Sequence, residues 1–208
     1  MKKITLFLLG LFLTVTMFAP MMAHADNTDD AADIARAETY LRALKTAKAS
    51  FVQRSDNGGR LTGTFYLKRP GKLRFEYNET DDFVVADGIF IYFYDSELKE
   101  QSNAPIGQTL ADFLLRKDLS LTSGLSVQDI QTSADAQVLT LAQKGDEGAG
   151  TVRLFFSKNP YALTKWQIID ATGATTEIAL ANLQTDLKLP SHLFHYIAPK
   201  GDKPVYNQ

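Results

Sequence analysis

The chain has 208 residues, 45% of them hydrophobic, with 22 Lys and Arg against 24 Asp and Glu for a net charge of -2, and it has no cysteine. That excludes a disulfide framework and a lipidated cysteine behind a leader. Basic and acidic residues are interspersed with no basic stripe, which argues against a nucleic-acid partner.

Residues 1–25 read as a signal peptide. Lys2 and Lys3 precede the apolar run "ITLFLLGLFLTVTMFA", and "AHA" ending at Ala25 has the small-x-small form of a cleavage site. A transmembrane helix needs about 20 apolar residues, whereas this run breaks at Pro20. A cleaved leader sends the remainder into the periplasm and removes two positive charges. Residues 26–208 are then enough for one well-cored domain, with no internal repeat and no linker.

Residues 28–49 carry helical spacing. Ile34, Ala37, Leu41 and Leu44 recur every three or four positions, Asp29, Asp30 and Asp33 open the segment, and Lys45 and Lys48 close it. Period-two alternation then takes over. The first group of expected strands is 50–56, 60–69, 72–78, 82–86 and 89–95. The second is 125–133, 136–144, 150–157, 163–170, 174–184 and 193–197. Turn residues such as "NGG", "PG", "DG", "SAD", "GDEGAG" and "ATG" separate them. Short hairpin loops forbid parallel crossovers, so the pattern predicts an antiparallel meander curling into a barrel or sandwich. Between the groups, "PIGQTLADFLLRKDLSL" at 105–121 lacks alternation, and Leu110, Phe113 and Leu114 share one helical face. A helix placed there has to pack on the sheet, where it can close the open side.

The run "IFIYFY" at 89–94 is apolar or aromatic at six successive positions. Either both faces of that strand are covered, or one face lines a cavity. Thirteen Phe and eight Tyr are a generous supply for walling an apolar pocket. Catalysis has little support. His192 and His195 lack the third and fourth ligands that zinc wants, no serine or cysteine nucleophile motif is present, and "DNGGR" is a hairpin turn and not a phosphate loop. Catalytic residues, metal ligands and cofactors are therefore not expected.

The hairpin "TGTFYLKRPGKLRFEYNE" from Thr62 to Glu79 places Phe65, Leu67, Arg69, Leu73, Phe75 and Tyr77 on one parity. A loop of Pro70, Gly71 and Lys72 pairs Phe65 with Tyr77, Leu67 with Phe75 and Arg69 with Leu73, and unites the apolar residues on one face. Arg69 then ends that face as an inward charge. It can snorkel at the rim, or it can donate to the carbonyls of a segment that covers the rim.

The stretches "GTFYLKRPGKLRFEY", "VVADGIFIYFYDSELKEQ", "TLADFLL" and "IIDATGATTEIALANLQTD", in that order, resemble the LolA family of periplasmic lipoprotein carriers over about residues 50–199. The resemblance implies a mainly β fold, an open, incomplete antiparallel β-barrel of about eleven strands, with helices forming a lid over a hydrophobic cavity. It implies a monomeric carrier that takes acylated lipoproteins from an inner-membrane ABC-type release complex to an outer-membrane acceptor. A lipid-binding sensor on the same plan is the alternative. The expected cavity lining is Phe65, Leu67, Leu73, Phe75, Tyr77, Ile91, Phe93, Leu110, Phe113 and Leu114. Arg69, which aligns with the arginine of the family's "RP" motif, is implied to latch the lid.

Overall fold

The computed structural model describes residues 27–109 and 112–199. The expected leader and Leu110 lie outside the described residues. Eleven strands form one antiparallel sheet: β1 (Thr46–Ser55), β2 (Arg60–Lys68), β3 (Lys72–Tyr77), β4 (Phe83–Asp87), β5 (Phe90–Asp95), β6 (Glu100–Pro105), β7 (Leu125–Thr132), β8 (Ala136–Gln143), β9 (Asp146–Lys158), β10 (Tyr161–Asp170) and β11 (Thr175–Thr185). Their order is β6-β5-β4-β3-β2-β1-β11-β10-β9-β8-β7. Two meanders are therefore joined where β1 pairs with β11. The free edges are β6 and β7, and the segment that connects them carries a 3-10 turn (Ile106–Gln108) and helix α2 (Asp112–Leu115). The sequence between two uncovered edges is thus the sequence that crosses the open side.

Helix α1 (Asn27–Ala43) begins with Asp29 and Asp30 in its first turn and ends with Arg42 in its last, charges that complement the helix dipole. Its buried face, Ala37 and Leu41, packs against the C-terminal half of the sheet. Tyr40 meets Phe156 and Tyr161 edge-on at 5.9 and 5.8 Å, and Arg36 lies 4.1 Å over the Tyr161 ring. The helix stops well before residue 49. From Thr46 the chain is strand, because Ala47, Ala49 and Phe51 alternate inward and pair with β2 and β11. Small residues fit both periods, so the helical reading ran too far.

Three more expectations need correction. Residues 193–197 are not a strand: Ser191–Phe194 form a 3-10 turn. The eleventh strand is β6, "EQSNAP", an edge strand with no alternation to mark it. Residues 146–149, expected in a turn, open β9.

The hairpin register also differs. Phe65 pairs with Phe75, Leu67 with Leu73 and Lys68 with Lys72, so the loop is Arg69, Pro70 and Gly71. Each pairing is displaced by two residues from the expected one, which leaves the faces unchanged because the side-chain period is two. Gly71 has φ +79, and a Cβ there would lie 2.8 Å from Gly88 Cα, so only glycine lets this turn rest on the β4–β5 turn. Gly63 is required for another reason. A Cβ on it would meet the Glu76 carbonyl oxygen at 2.0 Å and the Phe51 ring at 2.7 Å. Phe51 thereby reaches across β2 to Phe75 and Tyr77, at ring separations of 5.1 and 5.3 Å.

The outer face of the N-terminal meander is covered by the segment after β11. Phe194 is completely buried, Tyr196 stacks on Tyr92 at 5.1 Å, and Lys68 Nζ donates to the Leu189 carbonyl at 3.2 Å. This accounts for "IFIYFY". Tyr92 meets this cover on one face of β5, while Ile91 and Phe93 point to the other, toward a cavity.

Candidate functional site

Between α2 and the inner face of the sheet lies a cavity of about 440 Å³. From the β3–β5 region its wall takes Leu73, Phe75, Tyr77, Val84, Ile91 and Phe93, and from the lid it takes Thr109, Phe113 and Leu114. Trp166, Ile168, Thr176 and Ile178 supply the opposite wall, and Gln53 reaches in from β1. Seven of the expected residues therefore meet on one cavity: Leu73, Phe75, Tyr77, Ile91, Phe93, Phe113 and Leu114. Phe65 and Leu67 do not line it. They are buried in the packed core beneath, with the Phe65 ring 4.9 Å from Phe75 and 5.7 Å from Trp166. Shared parity put them on the correct face but says nothing about whether a neighbour fills the space above.

Sequence reasoning missed the wall formed by β10 and β11. Their inward residues alternate like any core strand, and no local signal separates lining from packing. The sole tryptophan is the nearest thing to one. Trp166 lies 6.3 Å from Phe75 and 6.4 Å from Phe113, between sheet and lid.

Polar groups in the wall are few. The Tyr77 hydroxyl donates to Gln53 Oε1 at 2.9 Å. Burial, with Asp82 adding a smaller repulsion, pushes the Tyr77 pKa up to about 12. Gln53, Tyr77, Val84 and Phe93 are shared with a second concavity of about 450 Å³ that runs to the β5–β6 turn and includes the exposed Leu98. The cavity thus has a mouth at that end, and Phe93 stands in it with 43% of its surface exposed.

The other end is shut. Arg69 Nη1 donates to the Leu41 carbonyl at 2.6 Å and Nη2 to the Arg116 carbonyl at 2.9 Å. Its backbone N–H donates to the Lys45 carbonyl at 2.8 Å, and the Gly71 N–H donates to the Leu115 carbonyl at 2.9 Å. The Arg69 head thus points to backbone and not to water. It lies against the last carbonyls of both helices, groups that a helix leaves without internal partners and that carry partial negative charge. The rest of the lid is pinned from its own side. Arg116 pairs with Asp112 and donates to the Ser123 carbonyl, and Glu38 of α1 accepts the Leu121 N–H at 2.7 Å. Burial, together with the charge of Arg42, lowers the Arg69 pKa. The group remains cationic, since its ordinary value lies far above neutrality.

Among the described residues there is no group of three or more His, Cys, Asp or Glu able to hold a metal. The site offers apolar volume under a hydrogen-bonded lid.

The family model for the outer membrane lipoprotein carrier protein LolA matches residues 42–197. An outer-membrane lipoprotein carrier protein from Dechloromonas aromatica is 31% identical over 201 residues, covering 91% of this chain and 93% of that one. Another, from Methylococcus capsulatus, is 30% identical over 175 residues, covering 80% and 84%. An uncharacterised conserved protein from Thermus thermophilus has the same fold, with a TM-score of 0.50 at 14% identity over 85% of this chain and 98% of that one. The match runs through the β2–β3 hairpin, the lid and both walls of the cavity, and the chain belongs to the LolA family of outer membrane lipoprotein carrier proteins.

Proposed function

We propose that the protein carries lipoproteins across the periplasm by holding their acyl chains in the cavity under α2. The observation that carries this reading is the pairing of an apolar cavity with a hydrogen-bonded lid that Arg69 ties to α1. Residues 1–25 are a leader removed on export, and residues 26–208 act as one domain and as a monomer. Cargo comes from an ABC-type release complex in the inner membrane and leaves to an acceptor at the outer membrane. The mechanism is sequestration, with no bond made or broken. The relatives described above, 84–93% of whose length the chain covers, are named as outer-membrane lipoprotein carriers, which favours a carrier over a lipid-binding sensor.

Magnitudes decide how the lid must behave. A methylene takes about the room of a water molecule, about 30 Å³, so the closed cavity accepts about fifteen of them, one acyl chain. Three chains of about fifteen methylenes at about 0.8 kcal/mol each would yield roughly 36 kcal/mol on complete burial. That exceeds the practical ceiling of roughly 18–21 kcal/mol for non-covalent binding, and such a carrier would never release cargo. Partial coverage, and a lid that costs free energy to open, keep binding within reach of the acceptor. Arg69 sets that cost: its bonds are made in the closed, empty form and broken on loading.

The test is direct. A triacylated lipopeptide mixed with the purified protein should form a one-to-one complex visible by native mass spectrometry, and the protein should release new lipoproteins from spheroplasts. Failure to take up lipopeptide, or uptake without release from spheroplasts, overturns the reading.

A further inference from the structure

Outside the latch, the C-terminal end of α1, the β2–β3 turn and the loop after α2 surround an open concavity of about 450 Å³. Four cations line it, Arg42, Lys45, Arg69 and Lys117, against the carboxylate of Asp118. Arg42 is partly engaged, since Glu38 accepts its Nη2 at 2.6 Å and the Leu119 carbonyl accepts its Nε at 2.8 Å. Lys45 and Lys117 are exposed, and neither side chain has an ion pair among the described residues. Arg69 Nε is buried with no hydrogen-bond partner. Burial lowers the Arg69 pKa, and the charge of Arg42 adds to the lowering.

A positive field, with the free ammonium donors of Lys45 and Lys117, therefore sits where three separate segments converge. We infer that this concavity binds a phosphate-type anion, which bridges α1, the β2–β3 turn and the loop after α2 and so locks the lid shut. A tetrahedral oxyanion offers several strong acceptor oxygens, Arg supplies a fork of donors, and Lys supplies a point charge. The sign follows from linkage. The four cations surround the concavity only while the lid is closed, so an anion bound there favours the closed form, and acyl chains, which need the open form, bind more weakly. The locking effect rests on the reading of α2 and Arg69 as a lid; the anion site itself does not.

The test uses the whole protein, with thermal melting and Trp166 fluorescence as readouts. Inorganic phosphate and soluble dihexanoyl phosphatidylglycerol are titrated separately against chloride at equal ionic strength. Phosphate is expected to raise Tm in proportion to the logarithm of its concentration once above its Kd and, at ten times its Kd, to weaken binding of an acyl probe by about elevenfold. The double variant Lys45→Ala, Lys117→Ala should melt within a few degrees of the parent in chloride and lose both responses. A response to phosphate alone identifies a free anion, and a response to both ligands admits lipid headgroups as well. Equal melting in phosphate, phosphatidylglycerol and chloride, or a shift retained by the double variant, overturns the anion site. A phosphate shift that leaves acyl binding unchanged overturns the locking effect. No acyl binding in any buffer counts against the carrier reading instead, while the Tm shift still decides the anion site.

Discussion

Arg69 Nη1 and the carbonyl oxygen of Leu41 are 28 residues apart in the chain and 2.6 Å apart in space, and the same guanidinium spans to the Arg116 carbonyl at 2.9 Å. One side chain thereby ties α1 to α2 through the tip of the β2–β3 hairpin. Substitution by leucine keeps the stem and removes both bonds, and hydrogen bonds to charged groups contribute about 1.5–3 kcal/mol each. Arg69→Leu is expected to lower Tm by several degrees, to open the lid without cargo, and to block transfer to the acceptor. Arg69→Lys reaches fewer carbonyls and should be intermediate. Unchanged transfer by Arg69→Leu would remove the latch from the mechanism.

Phe113 is 3% exposed and lies 6.4 Å from Trp166, so it couples lid position to the only tryptophan. Truncating such a buried ring costs about 3–5 kcal/mol. Phe113→Ala should red-shift Trp166 emission in the empty protein and speed uptake of a fluorescent acyl probe in stopped-flow mixing. An unshifted spectrum would show that the ring does not shield the tryptophan.

Gly63 has no room for a side chain, since a would-be Cβ lies 2.0 Å from the Glu76 carbonyl oxygen. Because that neighbour is backbone, it cannot rotate away, and the cost exceeds the usual 1–3 kcal/mol of overpacking. Gly63→Ala is expected to yield insoluble or largely unfolded protein by far-UV circular dichroism.

Tyr77 gives a pH signature. Its pKa is about 12 when folded and about 10 when unfolded. Between those values the folded state keeps a proton that the unfolded state has lost, so stability falls as pH rises. The contribution is complete below pH 10 and amounts to on the order of 2 kcal/mol. Urea midpoints measured from pH 9 to 12 should decline, and Tyr77→Phe should flatten the decline. Identical slopes in the two proteins would show that other groups carry it.

Phe194 separates fold from lid. It is completely buried on the outer face, away from the cavity. Phe194→Ala should cost about 3–5 kcal/mol while leaving the Trp166 response to acyl probe unchanged. A lost response would mean that the outer cover and the lid are coupled.

Much of this could be read from the residues, for reasons that also mark the limits. Alternation gave nine of the eleven strands, because one face of each is buried, and the unbroken apolar run "IFIYFY" gave β5, which meets the outer cover on one face and the cavity on the other. Alternation missed β6, whose "EQSNAP" has neither face buried, and placed an eleventh strand at 193–197, where an apolar segment folds as a cover. Parity grouped Phe65, Leu67, Leu73 and Phe75 correctly on one face, yet parity is blind to a slip of two residues, and the Arg69-Pro70-Gly71 loop settles the register. Arg69 stood out because a charge on an apolar face demands a partner. Trp166, Ile168, Thr176 and Ile178 did not stand out, since residues that border an empty space and residues that fill one look alike in sequence.

The order of the strands has one more consequence. β6 and β7 border the same gap with no ladder of backbone hydrogen bonds between them, and the chain that spans it is the lid. Widening the molecule at this seam breaks side-chain contacts and a few loop bonds but leaves all ten strand pairings intact. On the carrier reading, the cavity is therefore expected to enlarge first at this seam, where cargo bulkier than one acyl chain would be admitted at the cost of no strand pairing.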